Sequence, residues 1–176
     1  LDGGGAERAI VLLAGELARQ GHAVDLVVGY ANTDYLQEVS DQVNLIDFGS
    51  RSAIVVFSRL VIYLLIRQPL ACMSALDPAN LMLILASRLT RFKGRKVVSQ
   101  RAVLDASLRD LGRMRKWVTR RLMASCFPRA DAVISNSHAA ARELSLCLGI
   151  PSEKIFTIQN AVDVSRIVRL AGEPLE

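Results

Sequence analysis

Three glycines and a charged pair open the sequence, at residues 3–8 (GGGAER). Glycines at the start of a helix let a ligand approach the backbone, and the free amides at the positive helix end favour an anion such as a phosphate. The same glycines also suit a tight strand-to-helix turn. Their spacing differs from the GxGxxG turn of a dinucleotide site. The candidate phosphate-binding residues are Gly3, Gly4, Gly5 and Arg8.

Polar side chains recur just after several predicted strands. Each alone suits a helix cap or a turn. In a parallel sheet, however, the carboxyl ends of the strands meet at one edge, which is where ligands bind. Together these residues therefore predict the rim of a cleft. They are Asp77, Asn80, Ser99, Gln100, Arg101, Ser137 and Asn160.

A predicted helix from residue 108 to about 125 carries basic residues spaced by four, three and four positions, which places them on one face. Leu111, Met114, Val118 and Leu122 form an adjoining apolar face. This pattern suits an anionic membrane surface or a phosphate-bearing substrate, and equally an ordinary solvated helix on a core. The basic residues are Arg109, Arg113, Lys116 and Arg120.

Charge is unevenly distributed along the chain. Residues 88–121 carry a net charge of +10, whereas the remainder carries −5. Such clustering indicates a surface that meets an anionic partner. Nucleic acid is disfavoured as that partner, because the sequence has no recognisable binding module and only 5% aromatic residues for base stacking.

The sequence offers no metal or disulfide framework. The sequence has an odd number of cysteines and no CxxC pair. We therefore interpret the three, Cys72, Cys126 and Cys147, as small buried apolar groups in a reducing compartment. His22 and His138 have no ligand pattern around them. We therefore expect no metal site.

The elements that would position these residues alternate between helix and strand. This alternation predicts an α/β domain, a Rossmann-like parallel sheet with helices on both faces. Ser52 and Asp77 are predicted helix caps, and Gly21 and Gly149 are predicted helix stops. The predicted strands lie at residues 23–28, 43–47, 71–76, 96–99, 131–135 and 155–158.

The longest apolar stretch is residues 53–66, which contain Ser58 and Arg59. A membrane span needs about 20 largely uncharged residues. We therefore expect a buried or surface-docked helix instead. No secretory signal is visible at the start of the sequence. Because the cysteines indicate a reducing compartment, we expect a cytoplasmic protein.

Three segments, taken in order, resemble glycosyltransferase family 4. Residues 3–8, with 12–24 (LLAGELARQGHAV), are similar to that family's opening glycine loop and first helix. Residues 130–137 (ADAVISNS) resemble its strand-and-serine segment. Residues 148–155 (LGIPSEKI), with 160–163 (NAVD), resemble the segment that follows. The resemblance covers nearly the whole chain.

The resemblance implies the N-terminal half of a GT-B fold, with residues 1–163 as the acceptor-side domain and 164–176 as the start of an interdomain linker. It also implies a first strand that precedes the glycine loop and is missing from the sequence. The whole protein would be a retaining glycosyltransferase with a nucleotide sugar as co-substrate and no cofactor. A C-terminal domain would hold most of the donor, so this piece alone would be inactive.

The resemblance also assigns roles by position. The amides of Gly4 and Gly5 would approach the donor phosphates or the reacting acceptor hydroxyl. Residues 99–101 would line the acceptor side of the cleft, Ser137 would lie at its rim, and Asn160 would shape the turn into the linker.

Two positions depart from the family pattern. Many members have a histidine after the fourth strand, where this chain has residues 99–101 (SQR). The usual glycine of the NGVD segment is Ala161, which restricts the turn there.

The acceptor implied by these patterns is a glycan or a lipid-linked sugar, in cell-surface polysaccharide or glycolipid synthesis. The protein would then sit peripherally on the inner face of a membrane.

Two other interpretations of the function stay open. A nicotinamide-dependent oxidoreductase would need a GxGxxG turn and an acidic residue ending the second strand. A non-catalytic nucleotide- or partner-binding domain of Rossmann-like shape is the other.

Overall fold

The computed structural model describes residues 5–31, 38–100 and 112–159. From β2 onward, strands and helices alternate along these ranges, with short 3₁₀ turns at Phe127–Arg129 and Ser152–Lys154. In chain order the main elements are α1 (Gly5–Arg19), β1 (Asp25–Val28), β2 (Asn44–Asp47), α2 (Ala53–Arg67), β3 (Ala71–Ala75), α3 (Asp77–Thr90), β4 (Arg95–Gln100), α4 (Arg113–Cys126), β5 (Ala132–Ser135), α5 (His138–Leu148) and β6 (Ile155–Thr157).

Every strand pairing among the described residues is parallel. β1 pairs with β2, and β3 to β6 form a four-stranded sheet in the order β3-β4-β5-β6. Parallel neighbours need a crossover connection. In the four-stranded sheet these connections contain α3, α4 and α5. The predicted Rossmann-like α/β fold is therefore confirmed.

The β1–β2 pair lies between two helices. Leu26 and Val28 of β1 are buried against α1, through Val11 among others. Asp25 points the other way and accepts a hydrogen bond of 2.9 Å from the hydroxyl of Tyr63 on α2. Because side chains alternate across a strand, α1 and α2 must cover opposite faces. Helices on both faces, as predicted, are confirmed here.

The larger core lies between the four-stranded sheet and the layer of α3, α4 and α5. Val98 and Val133 project from β4 and β5 into this core and are fully buried. Met123 of α4 and Phe127 meet them there. Full burial of each such side chain contributes roughly 1.5–3 kcal/mol. This packing fixes the strand ends that carry the polar residues described below.

Local sequence signals explain most helix ends. Gly21 and Gly149 adopt positive φ angles of 89° and 64° just after α1 and α5, as the stop prediction requires. Ser52 precedes α2 as predicted, but its side chain makes no capping hydrogen bond. Asp77 was predicted as a cap and this was wrong, because α3 begins one residue earlier and Leu76 is its cap.

The predicted helix at residues 108–125 corresponds to α4, which begins at Arg113 in the described ranges. Residues 1–4, 101–111 and 160–176 lie outside those ranges. The missing first strand and the linker from residue 164 therefore stay predictions. Within the ranges that the structure describes, no helix is long and apolar enough to cross a membrane.

Candidate functional site

The carboxyl edge of the sheet carries a row of polar side chains from three neighbouring strands. Gln100 of β4 is in register with Ser135 of β5, which is in register with Thr157 of β6. Gln100 and Ser135 are buried, and Thr157 is half-buried. We call these three residues the polar row. Gln100 and Ser135 are only 2% and 0% exposed, so Thr157 is the member of the row whose hydroxyl is open to a ligand such as a sugar hydroxyl.

Asn80 joins α3 to the two strands beside it. Its side-chain oxygen accepts a hydrogen bond of 2.7 Å from the hydroxyl of Ser74, and its side-chain nitrogen donates one of 3.0 Å to the Ser99 carbonyl. Asn80 and Ser99 are both buried. The structure thus brings these two predicted rim residues together. In this arrangement the Asn80 amide holds the strand ends in place.

Ser137 caps α5 at the same edge. Its hydroxyl accepts a hydrogen bond of 3.2 Å from the Ala140 amide, while its carbonyl accepts one of 3.1 Å from the hydroxyl of Ser135. A serine cap satisfies one of the free amides at a helix start. The cap therefore connects the polar row to the positive end of α5, which points toward this edge.

The turn between β3 and α3 is strained. Leu76 has a φ of 80° and a ψ of 138°, in a region that L-residues with side chains rarely occupy. Such a conformation costs on the order of 1–3 kcal/mol and concentrates at functional sites. Asp77 follows in the first turn of α3, half-buried, where the helix dipole favours its carboxylate.

A second polar feature lies after β1 and β2, where Tyr30 and Arg51 stack. The Arg51 guanidinium carbon lies 4.7 Å from the centre of the Tyr30 ring. The two turns are joined by a hydrogen bond of 2.7 Å from the Ser50 amide to the Gly29 carbonyl. A Cβ at Gly29 would lie only 3.3 Å from the Ser50 carbonyl oxygen, so glycine permits this approach.

The Tyr30–Arg51 stack was missed by the sequence reasoning. An aromatic residue and an arginine, each just after one of two neighbouring strands, were the available signal. The stack places a guanidinium charge at the carboxyl edge, where it can pair with a phosphate or carboxylate.

The glycine loop is described only from Gly5, which is the first residue of α1. Gly3 and Gly4 lie outside the described residues. Arg8 lies one turn into the helix, with its Nε 3.1 Å from a carboxylate oxygen of Glu38. This ion pair occupies the Arg8 guanidinium in the present conformation.

Other predicted site residues are dispersed. Arg101, Arg109 and Asn160 lie outside the described ranges. On α4, Arg113 and Arg120 are exposed, whereas Lys116 is half-buried.

The described residues contain no group of three or more His, Cys, Asp or Glu side chains placed to hold a metal ion. Burial, helped by the Asp25 carboxylate, raises the pKa of Cys72 to about 11. Burial also raises the pKa of Cys126. Both thiols therefore stay protonated at neutral pH and are unsuited to act as nucleophiles.

A comparison with protein families supports the resemblance found in the sequence. The family model described as Glycosyltransferase Family 4 matches residues 3–166, which include the glycine loop, the polar row and the segment after β6. No curated protein matches the chain.

Proposed function

The chain belongs to glycosyltransferase family 4, and from this we propose that it forms the acceptor-side domain of an enzyme that transfers a sugar from a nucleotide sugar. The observation that carries the proposal is the polar row Gln100–Ser135–Thr157 at the carboxyl edge. This is the edge at which open α/β sheets bind their ligands.

In the proposed reaction, the acceptor hydroxyl oxygen bonds to the anomeric carbon, and its proton passes to an oxygen of the departing diphosphate. The bond from that carbon to the donor phosphate breaks, and the nucleoside diphosphate leaves with the electron pair. Stereochemistry is retained in this proposal, as family membership suggests. The protein must stabilise negative charge on the leaving group, which backbone amides and arginines do in a preorganised site.

Two groups of this chain are suited to that charge. The amide of Gly5 opens α1, whose positive end faces any ligand at the glycine loop. Arg51, held over Tyr30, carries a second positive charge at the same edge. We propose that these groups assist the departing diphosphate without a metal ion.

The polar row has a different proposed role, which is to hold the acceptor. Ser135 is fully buried and donates to the Ser137 carbonyl, so in this proposal it holds the strand end beside Thr157 in place. Thr157 is the most accessible of the three and would contact the acceptor first. Asp77 and Ser137 would complete the rim.

We propose a glycan or lipid-linked acceptor, as used in cell-surface polysaccharide or glycolipid synthesis, and a cytoplasmic location on the inner face of a membrane. The support is the basic, partly apolar surface of α4. A second domain of the same protein would hold most of the donor. On this proposal the present chain alone transfers no sugar.

Acceptor kinetics of the full-length protein test the polar row. Thr157→Val keeps the side-chain shape but removes the hydroxyl, so we expect the KM for the acceptor to rise about fivefold to tenfold. The KM for the nucleotide sugar should stay unchanged. Ser145→Ala, on the far part of α5, is the matched control. Equal effects of both variants on the acceptor KM would refute the assigned role.

A further inference from the structure

The helix α4 turns apolar side chains away from the core. Met114, Trp117, Val118 and Leu122 are all exposed, and Met114 and Trp117 are 74% and 59% exposed. Their spacing of three, one and four residues places them on one face. The opposite face holds Met123 and Cys126, which are buried in the main core. The apolar face predicted from the sequence therefore exists but points outward.

Arginines border this apolar face on both sides. Arg115 lies along one border, and Arg113 and Arg120 lie along the other, all exposed. Arg121 lies within the face, with its guanidinium carbon 5.4 Å from the centre of the Trp117 ring. The helix contains no Asp or Glu.

The neighbouring helix also exposes apolar and basic side chains. α3 packs beside α4 and exposes Leu85 and Leu89, with Arg88 between them in sequence. Across α2, α3 and α4 there is a single carboxylate, Asp77, at the carboxyl edge. The exposed residues of α3 therefore carry the same combination of positive charge and apolar surface as those of α4.

We propose that the outward face of α4 docks on an anionic lipid bilayer, with the helix lying in the plane of the headgroups. An apolar face that contains tryptophan and is bordered by arginines is the pattern of interfacial helices. Arginine stems can lie along the acyl boundary while their guanidinium groups reach the lipid phosphates. The positive charge of α4, which has no Asp or Glu of its own, supplies attraction to anionic lipids.

Other occupants fit this face less well. In a symmetric dimer the same patch faces itself, so the arginines of one α4 would lie against those of the other. A nucleic acid would find Trp117 as the only exposed aromatic side chain on α3 or α4. One exposed ring is a poor stacking platform for successive bases.

The location of α4 links this surface to the candidate site. α4 ends at Cys126, just before β5 begins at the amino edge of the sheet. Its 14 residues span about 21 Å, so its first turn lies back toward the carboxyl edge. A bilayer under Met114 and Trp117 would present a lipid-linked acceptor beside the polar row. The inference thus deepens the proposed function, but its test requires no sugar transfer.

Trp117 provides a direct probe, because it is the single tryptophan of the 176 residues. The chain is titrated with vesicles of phosphatidylcholine alone and of phosphatidylcholine mixed with phosphatidylglycerol. We expect a blue shift of Trp117 emission and quenching by brominated acyl chains with the anionic vesicles only. Raised ionic strength should weaken binding.

Variants separate this face from nonspecific adsorption. Arg120→Glu with Arg121→Glu should weaken anionic-vesicle binding by about tenfold or more. Val118→Gln with Leu122→Gln should also weaken it and reduce the blue shift. Leu146→Gln on α5, where Leu146 is 86% exposed, is the control and should bind like the wild type.

Three outcomes would overturn the inference: equal binding to neutral and anionic vesicles, wild-type binding by both α4 variants, or no binding. A blue shift that grows with protein concentration without lipid would instead assign the face to a second copy. If the full-length protein transfers sugar but does not bind vesicles, the membrane-docking inference is rejected and the proposed function stands.

Discussion

The side-chain nitrogen of Asn80 lies 3.0 Å from the carbonyl oxygen of Ser99 and donates a hydrogen bond to it, in the buried junction between α3 and β4. The same amide accepts a hydrogen bond from Ser74 on β3. One residue therefore ties a helix start to two strands at the edge that carries the candidate site. Ser99 directly precedes Gln100, so this junction also positions the polar row.

Asn80→Ala should destabilise the fold. The substitution leaves the Ser99 carbonyl and the Ser74 hydroxyl without this partner in a buried place, which should lower the free energy of unfolding by about 1–3 kcal/mol. Urea denaturation measures the change. Gln42→Ala, at an exposed turn, should stay within about 0.5 kcal/mol of the wild type. Similar losses in both variants would contradict the role given to Asn80.

Stability should depend on pH through Lys96 and Asp131. The Lys96 ammonium lies 2.8 Å from an Asp131 carboxylate oxygen, and the Lys96 amide donates to the same oxygen at 2.7 Å. Partial burial opposes the charged form, but these hydrogen bonds outweigh it and lower the pKa of Asp131. The folded carboxyl thus binds its proton less readily than the unfolded one.

The direction of the pH effect follows because the pKa of Asp131 is lower in the folded state than in the unfolded state. The stabilisation is complete above the unfolded pKa of about 3.9 and is lost as the pH falls through the lower folded pKa. Asp131→Asn should cost about 1 kcal/mol at neutral pH, a figure discounted for solvent screening. The difference from wild type should shrink below about pH 4, as urea titrations across pH would record. A difference that is constant with pH would contradict the pairing. Lys96→Met should remove only the part that comes from the ammonium, because the Lys96 backbone amide still donates to Asp131.

We predict that a residue larger than glycine cannot be accommodated at position 94 without displacing its neighbours. A Cβ at this position would overlap the carbonyl oxygens of Pro69 and Leu70 and the ring of Phe92. Gly94→Ala should therefore lower the free energy of unfolding by about 1–3 kcal/mol. At Gly15, inside α1, a Cβ would make only an ordinary contact, 3.6 Å from the Ser40 Cβ, so Gly15→Ala is the matched control and should not destabilise. Thermal or urea unfolding compares the two, and equal stability would refute the steric argument.

Cys72 should react slowly with alkylating reagents. With a pKa of about 11 it holds only a small thiolate fraction at about pH 8. We expect alkylation roughly a hundredfold slower than in the urea-unfolded chain. Peptide mass spectrometry after timed iodoacetamide treatment measures this for Cys72 alone. Equal rates in the folded and unfolded chains would show that the thiol is neither buried nor protonated as described.

Local signals allowed much of the fold to be predicted from sequence. Gly21 and Gly149 act within one turn of their own helix, so their residue types alone indicate where α1 and α5 end. The alternation of apolar strands with helices likewise predicted the parallel sheet. Leu76 shows the limit of such signals, because a leucine opposes the left-handed φ that the turn imposes on it.

The parts that sequence could not supply depend on contacts between elements. The polar row exists because strand register aligns Gln100, Ser135 and Thr157, and register is set by packing across the sheet. On α4 the spacing predicted an apolar face. Which face packs on the core is decided by Met123 and Cys126, so the outward direction of the Trp117 face appeared only in the structure.

Release of nucleoside diphosphate from a panel of nucleotide sugars tests the central claim most directly. The measurement uses the full-length protein with membrane extract as the acceptor source, with and without a chelator. The account predicts release from a specific donor that requires acceptor and survives chelation. No release with any donor would contradict the assignment as a glycosyltransferase, and release abolished by the chelator would contradict the proposed metal-free stabilisation of the leaving group.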